Sequence, residues 1–331
     1  MIIKTFKKYI YHPLKNFIAK FYLVFLKQFT RIKVIGITGS SGKTTTKEMV
    51  SSILKLDGPT VNSRENIDPV YNISSTILRC NLKTQYLVLE MGVEYPGEMD
   101  FYLWLAQPDI AVITNIFPTH TEFFGDADGV LREKAKLVFG LPKNGIAVLN
   151  KNDSRLITLA NKLKVKIIWF DGENESAAKS VGKLFNIDSD KINKGLQNYE
   201  RPRHRHEIIK HKSGTIIYDD SYNSNPEALL ATLKKFSELA GKNTKIAVLG
   251  DMLELGKLAE SEHIRVGKEI KKYNFDKVFG IGSFVRLITP NVYSSIDDVL
   301  LELKRYLKPK TYILVKASRS FGLDRLVDKL L

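Results

Sequence analysis

IGITGSSGKTTTK, residues 35–47, carries an apolar strand straight into a glycine loop and then into a Lys-Thr-Thr helix start. A loop of this kind turns backbone N–H groups inward, and the helix behind it presents the positive end of its dipole, so the pair binds nucleotide phosphate. On this reading Gly39, Ser40, Ser41, Gly42, Lys43, Thr44 and Thr45 form the cradle. The glycines admit the turn, Lys43 reaches the β- and γ-phosphates, and the Thr44 hydroxyl ligates Mg²⁺. A full Walker A pattern places glycine five residues before Gly42, where Ile37 stands, so this is the compact T-G-x-x-G-K-T form. A chance Gly-Lys-Thr in an ordinary turn is disfavoured by the strand before it and the helical spacing from Lys47 to Leu54 after it.

Working outward, the 331 residues allow two domains with well-filled cores. A hydrophobic share of 44% and a charged share of 26% are those of a soluble globular protein. The single cysteine, Cys80, excludes an internal disulfide framework and a thiolate zinc cluster, and a reducing cytoplasm is the natural compartment. A net charge of +15 points to anionic partners: nucleotides, phosphorylated sugars, anionic lipid or nucleic acid.

Much of that charge stands at the front. Lys4, Lys7, Lys8, Lys15, Lys20, Lys27, Arg31 and Lys33 all precede the first acidic residue, Glu48. Phe6, Tyr9, Tyr11, Phe17, Phe21, Tyr22, Phe25 and Phe29 interleave them at roughly helical spacing, and His12-Pro13 divides the run into two short helices. Cations spread throughout exclude a secretory signal, and no apolar span is long enough to cross a bilayer. Two readings stand: an amphipathic pair packed on the protein's own body, or a membrane-surface contact through residues 1–30. No nucleic-acid partner is expected, because no base-reading module accompanies the segment.

From Arg31 onward, strands alternate with helices: KVIGIT and a helix to Leu56, QYLVLEM and a helix around Met99 to Ala106, IAVITNI and a helix around Leu131 to Leu141, then GIAVLN and KVKIIWF. This is an α/β pattern with a mostly parallel sheet covered on both faces. Ligands bind where such strands end, and polar residues cluster there: Gly39 to Thr45, Glu90, Thr114 to His120, Asn150 to Asp153. A second α/β block begins near Arg203, with GTIIYDD leading into SYNSNPEALLATLKKF, KIAVLGD into MLELGKLAESEHIRVGKEI, KVFGIG, and TYILVKAS before a final helix. The expected division is 1–32, 33–202 and 203–331, with a polar linker around Gln197 to His206.

Six segments in order, TGSSGKTTTKEM, EMGVEYPGEM, TNIFPTH, DDSYNSNP, GDMLELG followed by His263, and VKASR, resemble the Mur ligase family, and within it the branch that adds D-alanyl-D-alanine to a UDP-muramoyl tripeptide. The resemblance runs from about Lys33 to Leu331. It implies a P-loop-type central ATPase domain, a Rossmann-like C-terminal domain, ATP and Mg²⁺ as cofactors, and amide-bond formation through an acyl phosphate. A carboxylate is a poor acyl donor at neutral pH, so catalysis there is mostly positioning and charge neutralisation.

The same resemblance assigns roles. Thr44 and Glu90 look like ligands of the Mg²⁺ that bridges the β- and γ-phosphates. His120 resembles the family histidine near a second metal ion. Lys134 falls at the position of a lysine that CO₂ carbamylates into an anionic oxygen ligand, with Lys136 close enough in register to compete for that role. Asn174 resembles the residue that reaches adenine, although Phe170-Asp171 replaces the usual His-Asn pair; Arg205 resembles the linker arginine, and Asp220 the carboxylate on the ribose. Asn223 and Asn225 face the acceptor, and Lys316 and Arg319 approach the carboxylate of the incoming amine, with Ala317 in place of the family glycine.

The implied partners are a peptidoglycan-precursor-like carboxylate and an amino acid or dipeptide amine; the implied location is the cytoplasm, peripheral to the inner face of the membrane. The family carries a separate domain that grips the UDP-sugar, and only about 32 residues stand in that place here. The basic aromatic segment is expected to substitute for it. Rival readings are a folylpolyglutamate- or cyanophycin-type ligase, disfavoured by DMLELG and DDSYNSNP, and a non-catalytic ATP-binding regulator, disfavoured by the set Lys43, Glu90, His120 and Lys134.

Overall fold

The computed structural model describes residues 12–64 and 67–331. Two compact units emerge: one runs to Pro118 and resumes at Phe123–Pro202, and the other takes Thr119–Glu122 and Arg203–Leu331.

The first unit is built on a six-stranded, wholly parallel sheet of β1 (Lys33–Thr38), β2 (Thr60–Asn62), β3 (Tyr86–Glu90), β4 (Ile110–Ile113), β5 (Ile146–Asn150) and β6 (Lys166–Phe170), in the order β2-β3-β1-β4-β5-β6. Strand β1 is buried from Val34 to Thr38, as a central parallel strand with both faces covered must be. Alternate residues feed opposite cores: Val34, Leu87, Leu89, Ala111 and Ile113 on one face, Ile35, Ile37, Val88 and Val112 on the other. The first face is covered by α1 (His12–Phe29), α3 (Pro69–Ile77), α4 (Glu98–Leu105) and α5 (Ala127–Phe139); the second by α2 (Lys43–Lys55), α7 (Asn174–Leu184) and α8 (Ser189–Gln197). A short α6 (Ser154–Ala160) follows β5, capped by the Asp153 carboxylate.

Strand order reverses at β1, which pairs with β3 on one side and β4 on the other. That switch point places the glycine loop at the carboxyl ends of the strands, where an open α/β sheet binds its ligand.

The second unit repeats the layering with β7 (Glu207–Lys210), β8 (Ile216–Asp219), β9 (Thr244–Gly250), β10 (Lys277–Ile281), β11 (Val292–Tyr293) and β12 (Thr311–Lys316), ordered β11-β10-β9-β12-β8-β7. All neighbours are parallel except β7 with β8. One face packs α9 (Pro226–Ala240) and α10 (Ala259–Glu269), the other α11 (Ile296–Lys304) and α12 (Asp324–Leu330).

Three local differences from the sequence reading have physical causes. Of the two short helices around His12-Pro13, α1 begins at His12 and the earlier one lies outside the described residues. Residues 251–255 form a loop ahead of the 3-10 turn Gly256–Leu258 and α10, because side chains hold the backbone there: Met252 N–H donates to His263 Nε2 (3.0 Å) and Leu253 N–H to Ser318 Oγ (2.8 Å). The segment PVYNISSTI, which had no reading, is helix α3, started by Pro69 and by the Asp68 carboxylate accepting from Val70 N–H at 2.9 Å.

Candidate active site

The phosphate loop leaves β1 at Thr38 and enters α2 at Lys43. Gly39 has φ +146°, and a methyl group there would fall 1.9 Å from Thr114 Oγ1, so only glycine fits. Segment 114–117 grips the loop from beside it. Thr114 Oγ1 donates to Ser41 O (2.6 Å), Asn115 O accepts from Ser40 N–H (2.9 Å), and Asn115 Oδ1 accepts from Ser41 N–H (2.9 Å). Ser40 Oγ donates to Phe117 O at 2.9 Å. These bonds of Ser40 and Ser41 shape the loop. The amides at the start of α2 remain as anion donors, since first-turn N–H groups of a helix have no intrahelical partner.

Lys43 Nζ donates to Gly39 O at 3.0 Å, which folds its ammonium over the loop. Thr44 Oγ1 donates to Glu90 Oε1 at 3.0 Å, bringing the two expected metal ligands together where β1 and β3 end. Two hard oxygen donors side by side, next to a phosphate loop, fit Mg²⁺. Asn174, the first residue of α7, also belongs here: a methyl group built on Gly42 (φ +77°) would lie 2.4 Å from its Oδ1.

Lys134 is 1% exposed on α5 and, among the described residues, makes no hydrogen bond or ion pair. Burial first, then the nearby Lys43 charge, push its ammonium well below the ordinary lysine value, which favours the uncharged amine. The uncharged amine is the form whose nitrogen attacks CO₂. Lys136 differs in every respect: its Nζ pairs with Asp100 (2.6 Å) and Glu133 (2.7 Å), and these carboxylates hold its charge against the cost of burial. The two lysines thus differ in partners: Lys136 is ion-paired, and Lys134 is buried near Lys43.

One positioning residue escaped the sequence reading. Lys47 is fully buried, paired with Glu48 (2.5 Å) and donating to Ser63 O (2.8 Å), while Ser63 Oγ accepts from the Glu90 backbone N–H at 3.1 Å. It thereby fixes the residue that carries the metal-facing carboxylate. Its signal was available: a lysine on the apolar face shared with Val50 and Leu54 must find a buried partner. Lys47→Met is expected to raise the Mg²⁺ concentration for half-maximal activity and to lower kcat/KM by roughly 10- to 100-fold. An unchanged Mg²⁺ requirement would show the contact to be structural only.

In the second unit His120 (φ +55°) sets Nδ1 against Glu254 Oε2, and the His120 contact holds the Glu254 carboxyl below its usual range. Thr121 Oγ1 donates to Leu255 O (2.9 Å) and Glu122 N–H to Glu254 O (3.1 Å), so GDMLELG is the seat of the TNIFPTH end. His120 thus belongs to the second unit and Thr44, Glu90 and Lys134 to the first.

Lys316 is 2% exposed and donates to Asp220 Oδ2 (2.6 Å) and Asn223 O (2.9 Å), so its ammonium ties the DDSYNSNP turn together. Asp220, expected on the ribose, also accepts from Thr232 Oγ1 (2.7 Å); burial works to raise its carboxyl, but Lys316 and His206 hold it below the usual range. Asn225 Oδ1 caps α9 by accepting from Ala228 N–H at 2.9 Å, and Asn223 is exposed. Arg205 and Arg319 both lie over the Tyr222 ring, at 4.0 and 5.2 Å. Tyr222, unremarked in the sequence, is the platform that brings these two guanidiniums together.

A strand-to-helix phosphate loop, a hydroxyl–carboxylate pair beside it and a buried lysine define a nucleotide-dependent enzyme of the P-loop class. The chain matches the Mur ligase middle domain over residues 37–219 and the Mur ligase glutamate ligase domain over residues 204–319, and it belongs to the Mur ligase family. It is 33% identical to a UDP-N-acetylmuramoyl-tripeptide–D-alanyl-D-alanine ligase of Buchnera aphidicola subsp. Baizongia pistaciae (strain Bp), over 91% of this chain and 76% of the relative. Crystal structures of MurF are similar in fold. That from Acinetobacter baumannii has a TM-score of 0.87 at 25% identity, over 96% of this chain and 80% of the other. That from Thermotoga maritima, in complex with ADP, has 0.86 at 23%, over 96% and 83%.

Proposed function

We propose that this chain is an ATP-dependent peptide ligase of cell-wall precursor synthesis, joining D-alanyl-D-alanine to the terminal carboxylate of a UDP-muramoyl tripeptide. The observation that carries the chemistry is the Thr44–Glu90 pair at 3.0 Å beside the Lys43 loop; the choice of substrates rests on the named relatives.

A carboxylate oxygen of the acceptor attacks the γ-phosphorus, and ADP leaves. The amine nitrogen then attacks the acyl carbon of the acyl phosphate, phosphate departs with its C–O bond, and the amine gives up a proton. Lys43 and the α2 amides orient the phosphates and offset their charge. Thr44, Glu90 and a carbamylated Lys134 would hold Mg²⁺, which would offset negative charge on the phosphates. In the second unit a carboxylate on Nδ1 fixes the His120 ring and leaves Nε2 as a ligand atom for a metal ion. Asn174 stands against the nucleotide loop, and Arg319 on Tyr222 offers a cation to the carboxylate of the amine substrate.

The enzyme works in the cytoplasm, with residues 1–30 meeting the inner face of the membrane; among the described residues no helix is long and apolar enough to cross it. Phosphate release measured with ATP, Mg²⁺, D-alanyl-D-alanine and UDP-muramoyl tripeptide, each omitted in turn, tests the reading. Release that requires all four is expected; release indifferent to the tripeptide or the dipeptide would overturn the substrate assignment.

A further inference from the structure

Helix α1 is apolar on two opposite sides. Ala19, Leu23 and Leu26 are buried in the core of the first unit, and Tyr22 Oη donates to Cys80 O at 2.9 Å. The other side carries Leu14, Phe17, Phe21, Val24, Phe25 and Phe29, each between 44% and 65% exposed. They recur every three or four residues, the spacing of a single helix face. A contiguous apolar stripe of this length marks an interaction surface.

The lysines of α1 do not interrupt the stripe, because the body of the unit draws them aside. Lys15 Nζ donates to Ser75 Oγ (2.7 Å), Lys27 Nζ to Gln107 O (2.8 Å), and Lys20 lies 4.3 Å over the Trp104 ring. Trp104, on α4 and 37% exposed, meets the Phe17 ring edge-on at 5.3 Å and widens the surface by an amphipathic ring.

Charge selects the occupant. The chain up to Lys33 holds eight cations and no acidic residue, three of those cations falling before α1 begins. A second copy would set this segment against its own like charge. An anionic bilayer answers both features, with acyl chains for the stripe and negative headgroups for the flanking cations, and tryptophan favours the boundary between them. Because no described helix can cross a membrane, α1 must lie in its plane.

We propose that the outer face of α1, continued by Trp104, seats this protein on an anionic phospholipid surface. The inference deepens the membrane contact proposed above and rests on that part of the reading alone. The full chain is sedimented with vesicles of phosphatidylglycerol and phosphatidylcholine, and with phosphatidylcholine alone, as wild type and as the double variant Phe21→Glu, Val24→Glu. Wild type is expected to bind the anionic vesicles, to release them in high salt, and to bind the neutral ones far more weakly. The double variant should lose roughly a hundredfold in binding with its melting temperature unchanged, since both side chains are more than half exposed. No wild-type binding to anionic vesicles, or equal binding by the variant, would overturn the proposal; so would a dimer that the variant dissociates in the absence of vesicle binding. Phosphate release without vesicles, read on the same samples, separates the two hypotheses. A chain that binds vesicles without ligase activity leaves this inference standing, and an active chain that ignores vesicles removes it alone.

Discussion

Lys43→Ala is expected to abolish turnover, with kcat/KM for ATP-dependent phosphate release falling by roughly 10³-fold or more, about 4 kcal/mol of transition-state stabilisation. The Lys43 ammonium lies over the loop, within 3.0 Å of Gly39 O, at the start of the helix whose amides face the phosphates. Alanine removes that charge without disturbing a core side chain, since Lys43 is only half-buried, and it suits a helix at least as well. The melting temperature should therefore stay within a few degrees of wild type. Arginine should not restore activity, because a planar guanidinium does not replace a compact ammonium in a loop this tight. Near-normal turnover in the alanine variant would contradict the assignment of the loop.

Lys134→Ala is expected to lose roughly 10²- to 10³-fold in activity and to regain part of it with added formate or acetate, whose oxygens stand in for those of the carbamate. A variant that is fully active would remove Lys134 from the site; inactivity without rescue would contradict the carbamate. A second readout needs no turnover. The folded pKa of Lys134 is depressed below 10.5 by burial and then by Lys43, so between the folded value and 10.5 the unfolded chain binds a proton that the folded chain does not. Stability of wild type must then rise with pH toward that value and fall as pH drops. In nucleotide-free, CO₂-free buffer Lys134→Met should melt above wild type at neutral pH, with the gap closing as pH is raised. Parallel curves would show that the amine is not neutral in the folded protein.

The layering of both units was legible because buried parallel strands such as KVIGIT and TYILV are short β-branched runs that leave little ambiguity of period. The phosphate loop was legible for the same local reason: its function is written in consecutive residues. What sequence could not show was which of several polar atoms had already found partners. Lys316 follows a strand, and its bond to Asp220, 96 positions earlier, is not written in that local pattern. Lys134 and Lys136 differ by two places in the chain, and only packing against the sheet decides that one is buried near Lys43 and the other pairs with Asp100 and Glu133. The loop at 251–255 had no local signal, because His263 and Ser318 supply hydrogen bonds that local propensity cannot see.

The central claim is that ATP activates a carboxylate as an acyl phosphate before the amine arrives. UDP-muramoyl tripeptide carrying ¹⁸O in its terminal carboxylate, incubated with the enzyme, ATP, Mg²⁺ and D-alanyl-D-alanine, tests this by mass spectrometry of the released phosphate. One labelled oxygen in each phosphate formed is the predicted result, because the oxygen that attacked the γ-phosphorus leaves with it. Phosphate free of label, with the amide product made, would contradict the account.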